Sequence, residues 1–202
     1  MSDWNRVTFH GLDADRPSPP DSAYGVNQAW VSDDTGSIYQ AVVSGGALAW
    51  VATAALESAY AEIYVADGVT AQAIPTGATY TKLTGFATNG QSQNCTADAA
   101  NDKITITRAG RYLTTVTISG VSTASAVTFD FAVFLDGVRQ DAVNAHRAYA
   151  VGGDEGNCSM AGILNATSVP VDVDVRCVQD SLSSDDFTPS FMNLTVLYIG
   201  AA

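Results

Sequence analysis

From residue 61 onward, apolar and β-branched residues alternate with polar ones over short runs, and glycine-bearing breaks separate the runs. That pattern is the signature of consecutive antiparallel strands. In Val169-Pro-Val-Asp-Val-Asp-Val-Arg-Cys, a period of two puts Val171, Val173 and Val175 on one face and Asp172, Asp174 and Arg176 on the other. One face is therefore core, and the other is wet or pairs with a neighbour. The run Val127-Thr-Phe-Asp-Phe-Ala-Val-Phe-Leu gathers Val127, Phe129, Phe131, Val133 and Leu135 but adds Phe134 on the second face, which predicts burial on both sides at that end. Strands are expected at 62–66, 71–74, 81–86, 103–108, 111–119, 127–135, 138–143, 156–165, 169–179 and 191–199. Helical periodicity is absent between them, so a parallel sheet with crossover helices is excluded. The expected fold class is all-β, a sandwich of jelly-roll type with about eight to ten antiparallel strands.

The first part of the chain reads differently. Residues 1–22 are polar and carry Arg16-Pro-Ser-Pro-Pro, a segment biased to extended backbone and suited to an arm lying along another surface. Within 23–51, apolar runs flank Asp33-Asp-Thr-Gly and then Gly45-Gly46, turn chemistry that predicts a small β-hairpin module. Ala52-Thr-Ala-Ala-Leu-Glu-Ser-Ala-Tyr contains good helix formers and no breaker, and is expected to be a short helical connector over 52–60. The expected organisation is an arm (1–22), a hairpin module (23–51), the connector (52–60) and a jelly-roll domain (61–202).

Charge narrows the function. Nine Lys and Arg against 21 Asp and Glu give a net charge of -12, which repels a nucleic-acid backbone and argues against DNA or RNA as a partner. Only 15% of residues are charged, so Ser, Thr, Asn and Gly, or neighbouring copies, must cover the exterior. No apolar run is long enough to cross a bilayer, and Met1-Ser-Asp-Trp-Asn-Arg has no basic and apolar leader pattern. No membrane insertion is expected, and synthesis in a cytoplasm is. Cys95, Cys158 and Cys177 are odd in number and widely spaced, and are read as buried free thiols, with a Cys158–Cys177 bridge as the lesser alternative.

Two groups of motifs carry a resemblance. The segment from Gly25 to Val51, with its Gly, aromatic, Asp-x-Thr-Gly turn, Ile38-Tyr39 pair and closing Trp50, resembles a small β-module frequent in bacteriophage fibre and tail proteins. Further on come Ile104-Thr-Ile-Thr, Ala109-Gly-Arg-Tyr, an aromatic strand ending in Leu135-Asp-Gly, and a final Leu194-Thr-Val-Leu-Tyr-Ile-Gly. Their order resembles the C1q/TNF-like jelly roll found in bacteriophage decoration and fibre proteins. The resemblance implies two packed sheets, a homotrimer and a role at the virion surface after assembly in the host cytoplasm. Under it, the N-terminal region attaches to a major capsid protein or another virion protein, with Trp4, Arg16, Pro19, Trp30, Tyr39 and Trp50 as attachment candidates. Tyr112, Phe129, Phe131, Phe134 and Tyr198 are candidates for core or trimer interface. A capsid decoration or head-fibre role is preferred. The alternative is a tail fibre or receptor-binding tip that recognises a glycan or protein of the host cell surface through 89–102 or 152–157.

Catalytic chemistry finds little support. His10 and His146 are the only histidines, no nucleophile elbow accompanies them, and Walker and dinucleotide fingerprints are absent. No enzymatic activity and no cofactor is expected. The carboxylate pairs Asp33/Asp34, Asp154/Glu155, Asp172/Asp174 and Asp185/Asp186 lack ordered EF-hand spacing and are read as solvated charge, so no metal site is assigned.

Overall fold

The computed structural model of the chain describes residues 7–11, 28–32, 37–44, 47–55, 58–77, 79–180 and 185–201. The chain divides into two compact units, Met1–Glu57 and Ser58–Ala202.

The first unit is a four-stranded sheet of β1 (Val7–Gly11), β2 (Gln28–Ser32), β3 (Ser37–Ser44) and β4 (Ala47–Ala55), in the order β1-β2-β3-β4. The hairpin pairing expected of this region is present, with Trp30 opposite Tyr39 and Ala41 opposite Trp50. The turn residues at 33–36 and 45–46 lie outside the described residues, as do Trp4, Arg16 and Pro19. Two expectations are corrected. Part of the supposed arm is a strand: β1 pairs in parallel with β2, Phe9 opposite Trp30. The helical connector is also absent from 52–55, because β4 runs on to Ala55 with Ser37 and Ile38 opposite Ala55 and Ala54. Helix propensity, even that of alanine, is a weak determinant, and pairing along a neighbouring strand overrides it.

The second unit is a sandwich of two antiparallel sheets. Its strands are β5 (Tyr60–Ala66), β6 (Gln72–Ile74), β7 (Thr81–Lys82), β8 (Thr88–Gln93), β9 (Cys95–Asp98), β10 (Lys103–Ile106), β11 (Gly110–Ser122), β12 (Val127–Leu135), β13 (Val138–Tyr149), β14 (Glu155–Ala166), β15 (Val171–Gln179) and β16 (Asp185–Gly200). One sheet has the order β14-β11-β16-β5-β8, with β6 on β16. The other has the order β13-β12-β15-β10-β9, with β7 on β15. Alternation builds the core between them: Ile63, Tyr112, Val116, Ile118, Leu164 and Leu194 from the first sheet meet Ile104, Ile106, Phe129, Phe131, Val173 and Val175 from the second. Phe134 is buried on the opposite face of β12, as its place in the alternation predicts.

The polar stretch 89–102, put forward above as a recognition segment, carries most of β8 and all of β9. β8 pairs with β5, and β9 pairs with β10 through Ile104–Ala97 and Ile106–Cys95. An edge strand needs only its backbone to pair, so its side chains need not alternate. The expected strand at 81–86 shrinks to Thr81–Lys82, because the Asp102 carboxylate accepts the backbone N–H groups of Gly85 and Phe86 and turns the chain away.

Among the described residues, one buried side-chain group has no partner. Thr114 lies on the core side of β11, is fully buried, and its hydroxyl makes no hydrogen bond. An unpaired buried hydroxyl costs about 1–3 kcal/mol. Thr114→Val is therefore expected to raise the melting temperature by a few degrees, at roughly 2–4 °C per kcal/mol for a chain of this size. A fall in melting temperature would mean that the hydroxyl is satisfied after all.

Candidate functional site

The two sheets finish their outer faces in opposite ways. On the β12–β15 sheet, charge is paired within the chain. Lys103 Nζ and Asp172 Oδ2 are 2.8 Å apart, and Thr105 Oγ1 donates to Asp172 Oδ1 at 2.6 Å. Arg176 donates to both oxygens of Asp174, from Nε at 2.7 Å and Nη2 at 3.1 Å. Its guanidinium covers the Phe134 ring at 4.3 Å, Phe134 meets Tyr80 at 5.4 Å, and Arg139 lies over Tyr80 at 5.0 Å.

Asp172 shows how the pairing works. Burial alone would raise its pKa, but the Lys103 and Thr105 hydrogen bonds outweigh that and hold the carboxyl below its ordinary value. A depressed carboxyl stabilises the fold above its unfolded pKa, and that contribution disappears as the pH falls through the folded value. The pair is part-exposed, so it contributes only about 0.5 kcal/mol after screening. Asp172→Asn should lower the melting temperature slightly at neutral pH, and the gap to wild type should close below about pH 4. A gap that is constant with pH would assign it to packing instead.

The outer face of the β14-β11-β16-β5 sheet is different. Its outward positions are Asn157, Ser159, Ala161 and Ile163 on β14, then Leu113, Thr115, Thr117 and Ser119 on β11. They continue with Phe191, Asn193, Thr195 and Leu197 on β16, and Tyr60, Glu62, Tyr64 and Ala66 on β5. Glu62 is the only charged residue among these, and the exposed Arg111 and Glu155 follow the same alternation near the ends of β11 and β14. Strand register sets Ile163 beside Leu113, Leu113 beside Leu197, and Leu197 beside Tyr60, in one row. Ile163, Leu113 and Leu197 are 55%, 38% and 44% exposed, and Ile199 beyond them is 49% exposed. A contiguous apolar row on a sparsely charged sheet face marks an interaction surface.

The aromatic candidates named from the sequence do not lie on that row. Tyr112, Phe129 and Phe131 are buried between the sheets, and Phe134 is on the outer face of the other sheet beneath Arg176. Tyr198 is half-buried, edge-on to Tyr112 at 5.6 Å and beneath Arg108 at 4.0 Å. In the first unit, Tyr39 and Trp50 are half-buried. Trp30 is placed in β2. Leu113, Ile163 and Leu197 were not singled out from the sequence. Their signal is the unbroken apolar pair or run (Tyr112-Leu113, Ile163-Leu164, Val196 to Ile199) in strands that should alternate.

All three cysteines are free. Burial pushes the Cys158 thiol up to about 11, which leaves little thiolate at neutral pH. Among the described residues, no group of three or more His, Cys, Asp and Glu side chains is placed to hold a metal ion. Among them, too, no helix is long and apolar enough to cross a membrane.

No protein-family model and no curated protein matches the chain. Solved structures do match. The Eiger TNF of S. frugiperda is similar over 72% of this chain and 95% of its own, with a TM-score of 0.53 and 12% identity. Murine APRIL is similar over 69% of this chain and 99% of its own, with a TM-score of 0.45 and 13% identity. The PRD1 vertex protein P5 is similar over 80% of this chain and 82% of its own, with a TM-score of 0.45 and 16% identity. At such identity the likeness is one of fold, and the second unit has a TNF-like jelly roll as the order of its sequence motifs implies.

Proposed function

We propose that the protein is a non-enzymatic structural protein of a bacteriophage virion: a homotrimer that attaches through Met1–Glu57 to a capsid protein and projects its jelly roll outward as a decoration or head-fibre protein. The observation that carries this reading is the exposed apolar row Ile163–Leu113–Leu197 on a sparsely charged sheet face. Copies of a chain with net charge -12 repel one another over most of their surface. They can pack where charge is sparse and apolar side chains are exposed, as along this row. The separate N-terminal sheet, with its phage-type hairpin module, supplies an element outside the jelly roll for attachment.

The test has two parts. Sedimentation of the full chain should give a trimer, and Leu113→Asp with Leu197→Asp should give a folded monomer, because facing carboxylates would be buried together. The full chain should add back to phage particles assembled without it, whereas a chain lacking residues 1–57 should fold and fail to attach. A monomeric full chain would remove the oligomer, and decoration by the shortened chain would move attachment to the jelly roll.

A further inference from the structure

The two units finish their sheet edges differently. In the jelly roll, each of the four terminal strands carries a device against pairing with another chain. β13 and β14 lie against each other, so closely that a Cβ on Gly162 would come 2.6 Å from Val143 Cγ2. β13 also carries the exposed Arg139, Asp141 and Arg147. β8 is polar throughout and is interrupted by a register shift opposite Glu62, and β9 is four residues long. Covered, charged, bulged or short edges are how a sheet avoids adding a foreign strand.

The sheet of Met1–Glu57 lacks these defences along β4. Its terminal strands are β1 and β4, each with one strand neighbour among the described residues. In a chain of net charge -12, the strands β1 to β4 contain no Asp, Glu, Lys, Arg or Pro. β4 reads Ala47-Leu-Ala-Trp-Val-Ala before a register shift leaves Thr53 as an extra residue, so 47–52 is a regular, apolar edge. Direction matters as well. β1 is parallel to β2, β2 is antiparallel to β3, and β3 is antiparallel to β4, so β1 and β4 run the same way. They are opposite edges of one sheet and cannot meet within one copy.

Rotation about an axis along the strands keeps their direction, so β1 of one copy fits in parallel beside β4 of the next. We propose that β4 of each copy pairs in parallel with β1 of a second copy, head to tail, and that the three four-stranded sheets of the trimer thereby close into one ring without edges. The number of edges selects this occupant. Two β4 edges meeting about a twofold axis would leave both β1 edges open, and a strand from an unrelated protein would fill one edge only. Charge agrees, because these strands are a place where acidic copies do not repel one another. β1 offers only five residues, too few to hold copies together alone. The pairing therefore forms at the effective concentration that the jelly-roll trimer sets, and it rests on that reading. It uses sheet edges and leaves a sheet face for attachment.

Disulfide trapping in the full chain tests it. Register puts Thr8, Ala29, Gln40 and Val51 in one row, so Thr8 shares a sheet face with Val51 and, by alternation, with Ala49 and Ala47. Within one copy β1 and β4 are separated by β2 and β3, roughly 14 Å at ~4.8 Å per strand spacing, whereas a disulfide needs Cα atoms within about 7 Å. A disulfide from residue 8 to β4 therefore joins two copies. Chains carrying Thr8→Cys together with Ala47→Cys, Ala49→Cys or Val51→Cys are oxidised with copper phenanthroline and run on a denaturing gel. At least one pair should give a covalent trimer, and two co-expressed chains with one substitution each should give a covalent dimer. The wild-type chain, with its three free cysteines, and each singly substituted chain alone should give no cross-link. A chain that sediments as a trimer but cross-links in none of the three pairs overturns the pairing and leaves the trimer standing. Cross-linking of the Ala49→Cys chain to itself also overturns it, by placing two β4 edges in contact. A monomeric full chain removes the trimer and the pairing together.

Discussion

Gly110→Val should lower the melting temperature by on the order of 10 °C. Gly110 opens β11 with φ at +155°, and a Cβ built there would lie 2.3 Å from Tyr198 Cε2 and 2.7 Å from the Gly200 carbonyl oxygen. The ring could rotate only by giving up its edge contact with Tyr112, and the carbonyl is fixed by the pairing of Arg111 with Gly200. Overpacking of this kind costs about 1–3 kcal/mol and the backbone conformation costs a similar amount. Their sum converts at roughly 2–4 °C per kcal/mol for a chain of this size. Gly153→Ala is the control. There φ is +88° but nothing lies within 4 Å of the added carbon, so only the backbone term of about 1 kcal/mol remains. A Gly110→Val protein that melts within a degree or two of wild type would refute the close approach of β11 to the C-terminal end of β16.

Gly110 also shows what kind of information a sequence holds. Ala109-Gly-Arg-Tyr marks the place in the sequence, but the reason a glycine is needed there is the Tyr198 ring, which leaves no room for a side chain. The alternation in β15 placed Val171, Val173 and Val175 in the core, because a half-buried strand writes its orientation into every second residue. Strands without that constraint were invisible. β8 reads Thr-Asn-Gly-Gln-Ser-Gln, and as an edge strand it is recruited by backbone pairing alone. The interaction face was hidden for a related reason. Leu113 and Leu197 look like ordinary strand residues until register sets them side by side, and register is a property of three strands that are distant in sequence.

The same limit concealed Phe187, whose loss should be among the most damaging single truncations in the core. The last strand was expected only at 191–199, and Pro189 argues against a continuous strand before it. The chain in fact pairs from Asp185, and a bulge between Ser119 and Gly120 accommodates the proline. This extension delivers Phe187, fully buried, between Phe129 at 5.4 Å and Phe131 at 5.5 Å, with Tyr149 at 6.4 Å. Gly120 lies against it: an added Cβ there would come within 2.4 Å of the Phe187 ring. The ring thus joins the two sheets at the end of the sandwich where β16 starts. Phe187→Ala should cost about 3–5 kcal/mol, through lost burial and a cavity that backbone pairing on both sides keeps from closing. Phe131→Ala should cost a similar amount. The double substitution should cost about 1 kcal/mol less than the two together, because each already removes their mutual contact. Denaturant midpoints for the four proteins of this cycle measure it, and strict additivity would mean that the two rings do not share a packing site.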